Sequence, residues 1–357
     1  MADGLEIEFL PVGTGEHCGD AITVRWREGD RFRVLVYDGG TSEYGPKLVT
    51  HLKTNYNTGH VDYLVNSHPD NDHAAGLEYV VNNMSVGEVW MHRPWAHSEK
   101  IRHYFHDGRI TDDSLKKRFQ QKMSAAYALE KAAIRKDRRI YEPFAGAQIG
   151  IFTVLSPKQN RYVHELVPKF EKTPELGLGK LLDQVMETGQ LALEKLKGVW
   201  DAEFLPESVT TSAENESSAI LLARYSGRGY LLTGDAGVES LVAAADYAAD
   251  RGIDLPSTVT FVQIPHHGGR HNVSTNALDR LVGKRLPRSH EPKRIAFASA
   301  SEKAPKHPKK VVTNAFARRG FKVGRTKGKW IRHSFNMPAR NGEGPMELVP
   351  FFEDDVE

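Results

Sequence analysis

Ten residues, SHPDNDHAAG at Ser67–Gly76, constrain this chain more than any other stretch of it. They follow the apolar run VDYLV and place His68, Asp70, Asp72 and His73 within six positions. A strand ending near Asn66 and a helix beginning near Ala74 would leave all four on a tight loop, aimed at one spot. Imidazole and carboxylate together suit Zn²⁺, Mn²⁺ or Fe, whereas oxygen donors alone favour Ca²⁺ or Mg²⁺. A polar turn with helix-capping aspartates is the plain alternative, but a cap needs one Asp or Ser, not two His with two Asp.

The runs LEIEFL, AITVRW and FRVLVY before this loop alternate or are rich in β-branched residues, and Gly and Asp separate them, which predicts an antiparallel meander. A second set runs through QIGIFTVL, AILLARY, YLLTGD, TVTFVQI and RIAFAS. Helical stretches fall between the strands, so two facing sheets with helices outside are the natural packing. The two strand-rich halves could be distant structural echoes of each other. Two segments read as insertions, near 96–139 and 158–214. The first carries Leu115, Phe119, Met123 and Ala126 at helical spacing, and the second Leu178, Leu181, Leu182, Val185 and Met186. Core packing is the expected use of both stripes.

No run of about 18 uncharged apolar residues occurs, and the opening MADGLE lacks the basic and apolar regions of a secretory signal. A cytoplasmic protein with no membrane span is therefore expected. Cys18 is the single cysteine, which excludes an internal disulfide and fits a reducing compartment. With 48 basic and 46 acidic residues the net charge of +2 says little about partners, so local clusters carry that question.

The pattern His-x-Asp-x-Asp-His at His68–His73 resembles the first metal motif of the metallo-β-lactamase superfamily, usually His-x-His-x-Asp-His, in its variant with Asp at the second position. That variant is similar to the hydrolase domain of the ComEC-type DNA-uptake proteins. The islands FLPVGTGEHCGDAITV, VLVYDGG, TVLSP, NESSAILL, YLLTGDAG, IPHHGG and KHP continue the resemblance in order along nearly the whole chain. It implies an αββα sandwich of the metallo-β-lactamase type with helical insertions, a single domain over 1–357, and one or two divalent metal ions, Zn or Mn.

The resemblance also implies a ligand set. Asp235, ending the strand YLLT, takes the place of an Asp that bridges two metals, although a turn-forming Asp before Ala-Gly reads equally well locally. IPHHGG puts His266 and His267 at the end of another strand, where adjacent side chains point to opposite sides. His266 is the favoured ligand, with His267 behind it or against substrate. The sites then divide into His68 and Asp70 on one ion, Asp72, His73 and His266 on the other, and Asp235 between them. Many relatives have a further His where this chain reads ENESSAILL, with Asn215, Glu216, Ser217 and Ser218, so the His68 site is poorer in protein ligands. Asp70 in place of His shifts preference from Zn²⁺ toward Mn²⁺. Asp38 and Asp20 are turn residues or supports of the metal loop, and neither is counted as a ligand.

Such a set activates water for attack on carbon or phosphorus, with Asp72 orienting the water or holding its proton and Asp235 positioning it. No G-x-S-x-G elbow is present, and Cys18 lies outside the metal motifs, so covalent catalysis lacks a nucleophile. The resemblance points to phosphodiester hydrolysis in DNA or RNA. Basic stretches such as LKKRF, IRKDRR and KHPKK could meet a phosphate backbone, above all KHPKK, which follows the strand RIAFAS together with Lys303. His307 resembles the His of a Gly-His-Pro motif and could contact phosphate or protonate a leaving oxygen; a helix-starting His-Pro is the alternative. His92 reads as a packing or surface residue. Hydrolysis of small esters, lactones, amides or phosphocholine-type groups, and a binding protein with a degenerate site, remain open beside the nuclease reading.

Overall fold

The computed structural model describes residues 2–13, 18–105, 108–171, 200–304, 307–340 and 346–353. The meander expected at the start is present: β1 (Leu5–Phe9), β2 (Ala21–Glu28) and β3 (Arg31–Gly39) are antiparallel neighbours. After β3 the chain changes manner, because α1 (Tyr44–Asn55) and α2 (Asn71–Asn83) serve as crossovers. They deliver β4 (His60–Asn66) and β5 (Ser85–Met91) parallel to β3, and β6 (Arg139–Tyr141) continues the parallel run.

The second half repeats the scheme. β7 (Gln148–Ile149), β8 (Phe152–Ser156), β9 (Ile220–Tyr225) and β10 (Arg228–Leu232) pair antiparallel. β11 (Val259–Gln263), β12 (Arg294–Ala298) and β13 (Phe321–Arg325) then add in parallel. The helices Val238–Ala249, Thr275–Val282 and Lys310–Arg318 connect those last strands. β14 (Ile331–Phe335) returns to pair with β1. Among the described residues the sheets therefore read β14-β1-β2-β3-β4-β5-β6 and β13-β12-β11-β10-β9-β8-β7. Each has three antiparallel pairings at one end and three parallel pairings at the other, the internal echo suspected from the strand pattern.

Three apolar layers hold the halves together. The alternation in β1 sends Leu5, Ile7 and Phe9 between the sheets, where they meet Phe152, Leu221, Phe261 and Phe297. Glu6 and Glu8 point the other way and are buried against Arg25, Arg332, Arg340 and His51. A second layer lies between the first sheet and α1, α2 and the helices Asp112–Lys122 and Ser124–Arg135. A third covers the second sheet. The result is an αββα sandwich, as predicted. Leu115, Phe119, Met123 and Ala126 are all buried in the second layer, so the first stripe packs a core. Leu178, Leu181, Leu182, Val185 and Met186 lie outside the described residues. No helix among the described residues is long and apolar enough to cross a membrane.

Candidate metal centre

The parallel strands of both sheets end at one edge of the sandwich, the usual place for a binding crevice in α/β sheets. Asp38 ends β3, Ser67 and His68 follow β4, and His92 follows β5. From the other sheet Asp235 follows β10, His267 follows β11 and Ser299 follows β12. The metal loop is shorter than expected. α2 begins at Asn71 and not near Ala74, so Asp72 and His73 stand on its first turn and Asp70 at its N-cap. Asp70 makes no side-chain cap hydrogen bond, which removes the capping explanation for this carboxylate. Its Oδ2 lies 3.6 Å from His68 Nε2 instead.

The imidazoles converge on Asp235. Its Oδ2 lies 3.2 Å from His73 Nε2, 3.8 Å from His267 Nε2 and 4.0 Å from His68 Nε2. The three Nε2 atoms and Asp235 Oδ1 are buried without a hydrogen-bond partner. Behind them the wiring sets two of the ring tautomers. Ser67 Oγ donates its one proton to Asp38 Oδ2 at 2.6 Å, so its 3.0 Å contact with His68 Nδ1 requires a donating Nδ1–H. His73 Nδ1 donates to the same Asp38 oxygen at 2.9 Å. In their neutral forms both rings are thereby left with Nε2 lone pairs facing Asp235, the state a metal ligand needs. Asp38, at φ 60°, also accepts from the Ser67 backbone N–H at 2.7 Å, so it is a support and not a free turn residue.

Several donor sets have ligand atoms within 4.8 Å of one another: His68, His73 and Asp235; Asp72, His73 and His267; Asp20, Asp235 and His267; and Asp20, Asp38 and His73. One expectation differs from the geometry here. His267, and not His266, joins these sets. The reason is local: β11 ends at Gln263, and His266 and His267 both adopt positive φ, 46° and 57°, in a tight turn, so strand alternation does not apply. His267 is buried with 5% of its side chain exposed, whereas His266 is 37% exposed and its Nδ1 is engaged by Asn272 Oδ1 at 2.7 Å. His266 Nε2 still comes within 3.7 Å of Asp235 Oδ2, on the outer side of the cluster. Asp20, read from the sequence as a turn residue or a support, is fully buried and lies within two of the sets.

Asp70 touches His68 but belongs to none of the sets, and Asp72 is the most open member, with 39% of its side chain exposed. His307 is half-buried with its ring 6.4 Å from that of His266. Lys303 is exposed on the loop after β12 and joins none of the sets. His92 packs, as expected, on the Tyr162 ring at 4.3 Å. In the stretch that lacks a histidine, Ser218 Oγ accepts from the Asp235 backbone N–H at 3.1 Å, and Glu216 caps the helix Val238–Ala249 through the Ser240 N–H at 2.7 Å. Those side chains build the site without entering it. Ser67, Asn272, Gln263 and Ser299 carry no motif signal, because their roles come from contacts between distant strands.

The electrostatics are those of a site waiting for positive charge. Burial alone would raise the Asp235 carboxyl, yet His73, His266 and His267 hold it well below the usual range. Burial opposes protonation of His73, but Asp235, Asp72 and Asp38 hold it well above an ordinary imidazole. Burial pushes His267 down to about 3 and Asp20 up to about 7. Without a cation, protons must be divided among buried groups that cannot all be satisfied. A divalent ion would take the place of those protons and could be met by the orphaned Nε2 atoms of His68, His73 and His267, so the residues present fit a metal of the mixed nitrogen and oxygen class. Burial also pushes the Cys18 thiol up, which fits its exclusion as a nucleophile.

Residues 29–155 match the family model of the metallo-beta-lactamase superfamily. The sandwich is a metallo-β-lactamase fold. Solved structures similar to this chain include a hydrolase, AbOPH, of the beta lactamase superfamily: 11% identical, covering 60% of this chain and 56% of that chain, TM-score 0.31. The metallo-beta-lactamase fold protein YhfI from Bacillus subtilis is 9% identical over 93% of this chain and 100% of its own, TM-score 0.41. A diphosphatase from the PhnP family is 10% identical over 93% and 97%, TM-score 0.39. At these values none of the three says anything of this chain's substrate. None of the curated proteins matches the sequence.

Proposed function

We propose that this protein is a metal-dependent hydrolase acting through activated water, with a phosphodiester of nucleic acid as its substrate. The observation that carries the hydrolase reading is the convergence of three buried, unpartnered Nε2 atoms on Asp235. Zn²⁺ or Mn²⁺ held there would lower the pKa of a water and neutralise charge developing on a phosphoryl or carbonyl oxygen. His68, His73 and His267 would hold the ions from two sheets, Asp235 would lie between them, and Asp72 would join His73 and His267. Asp72, the most open carboxylate with 39% of its side chain exposed, would orient the attacking water and hold its proton. Asp70 adds negative charge beside His68, which favours a harder ion over Zn²⁺. Occupation of that poorer site would give a second ion.

The phosphodiester reading draws on the ComEC-type motifs and on the rim. The stretch His307–Lys310 lies across the PHHGG turn: Lys309 N–H donates to Gly268 O at 3.0 Å, and a Cβ on Gly268 would sit 2.4 Å from Pro308. This brings His307 beside His266. Burial together with Arg270, His266 and Lys309 lowers His271, so basic groups gather at this edge. Such a rim suits a polyanion, and His307 could meet a phosphate or protonate a leaving oxygen. A closed pocket for small esters has no comparable support, and the convergent Nε2 atoms argue against a degenerate binding protein.

The test is a metal-supplemented screen with single- and double-stranded DNA, RNA, bis-p-nitrophenyl phosphate and a set of esters and lactones. Cleavage of the phosphodiesters under Mn²⁺, weakened by rising salt for the polymers, is the expected result. Hydrolysis of an ester or lactone with none of the phosphodiesters cleaved would replace the nuclease reading by the small-molecule one.

A further inference from the structure

His73 and His267 enter the cluster from opposite sheets, and each turns Nε2 toward Asp235. For His73 the other ring nitrogen is held by Asp38 at 2.9 Å. For His267 it has no hydrogen-bond partner and faces Asp20 Oδ1 at 4.0 Å. Asp20 is itself held firmly. Ser299 Oγ donates to its Oδ1, and Gln263 Nε2 donates to its Oδ2 at 2.7 Å. Gln263 in turn accepts from the backbone N–H groups of Thr233 and Gly234 at 2.9 and 3.0 Å, the two residues before Asp235. One carboxamide thus ties Asp20, from the first sheet, to the turn that carries Asp235 in the second.

We propose that Asp20 is the positioning carboxylate of His267, receiving its Nδ1–H and so keeping Nε2 free for a metal, as Asp38 does for His73. The role rests on the metal-centre reading above. A carboxylate behind a ligating imidazole fixes both its tautomer and its orientation, and losing it commonly costs 10- to 100-fold in metal affinity. Asp20 suits the task because each of its oxygens has one donor fixed by the fold and keeps a lone pair. An asparagine there has one acceptor oxygen and one donating amide: with Oδ1 toward Ser299 and His267 its Nδ2 opposes the Gln263 donor, and with Oδ1 toward Gln263 its Nδ2 opposes the His267 Nδ1–H, so it cannot serve all three together.

Long-range proton–nitrogen spectra of the histidine rings in ¹⁵N-labelled full-length protein test this directly, with His267→Gln supplying the assignment. In the metal-free parent His267 is expected as the Nδ1–H tautomer. Asp20→Asn should lose that preference and release Zn²⁺ to a chelator about 10- to 100-fold more readily. Ser299→Ala, which keeps the carboxylate but loosens it, should move both readouts the same way by less, and it serves if Asp20→Asn fails to fold. An Nε2–H tautomer in the parent overturns the role. So does an unchanged tautomer in Asp20→Asn, whether metal is kept or, through loss of a direct ligand, released. A parent that binds no metal yet shows the expected tautomer and its loss in Asp20→Asn would remove the hydrolase reading and leave this pairing standing.

Discussion

Asp235 and the two adjacent histidines make the most specific claims at the scale of single residues. Asp235→Asn keeps the size and the backbone contacts to Ser218 and Asn272 but removes the charge at the point of convergence. Turnover of bis-p-nitrophenyl phosphate should fall about 10²-fold or more, with the melting curve of the metal-free protein little changed, because activation of water contributes several kcal/mol to such rates. Parental turnover would show that Asp235 does not position the reacting groups. His267→Ala should lose metal and activity together, whereas His266→Ala, altering the more exposed ring, should keep its metal by elemental analysis. The reverse outcome would restore the assignment drawn from strand alternation. That assignment departs from the geometry for a definable reason: IPHHGG reads as a strand end, and a pair of left-handed residues leaves no trace in side-chain pattern.

At the scale of elements, the position of α2 matters most, since its first turn carries Asp72 and His73. Gly76 lets it lie directly on the end of β3: a Cβ there would meet Gly39 O at 1.9 Å, a backbone atom that cannot yield by rotation. The first glycine of the GG pair in VYDGG, Gly39, and the Gly closing HAAG are therefore one packing feature. Gly76→Ala should destabilise the protein by about 3 kcal/mol through overpacking and lower metal affinity by shifting His73. An unchanged melting temperature and unchanged metal content would mean that α2 can slide without cost. The sequence made the strand, loop and helix legible, with the helix start misplaced by three residues. It did not show the contact between Gly39 and Gly76, which exists only once crossover α1 has brought the two elements together.

For the whole molecule, the centre is a joint between two halves, so filling it should stabilise the entire fold. Purified protein is expected to carry about one to two Zn, Mn or Fe ions per chain, and saturation at 100 times the dissociation constant should add about 3 kcal/mol, seen as a higher melting temperature that a chelator reverses. Absence of metal together with no stabilisation by any of these ions would remove the catalytic reading. A second whole-fold property comes from the far side of the first sheet. Burial would raise Glu8, but His51 and Arg340 bring it down to about 2. Its folded pKa lies below the unfolded one near 4.5, so its stabilising contribution is complete above about 4.5 and is lost as pH falls toward 2. Glu8→Gln should flatten stability against pH across that window; a slope equal to the parent's would show that other carboxylates govern acid unfolding.

What the sequence determined by itself is local and chemical. The His68–His73 run, the strand-end Asp235, the alternating strands and the buried stripe of Leu115, Phe119, Met123 and Ala126 each follow from side-chain type at short spacing, where periodicity and donor chemistry act without reference to distant residues. Tertiary structure alone decided which donors meet. Asp20 and Gln263 are 243 positions apart, and Ser299 lies further still, yet Gln263 and Ser299 meet the Asp20 carboxylate because β2 starts and β11 and β12 end at the same edge. The choice of His267 over His266 belongs to the same class: it depends on two backbone dihedrals and on burial against a facing sheet, quantities that no spacing of residues along the chain encodes.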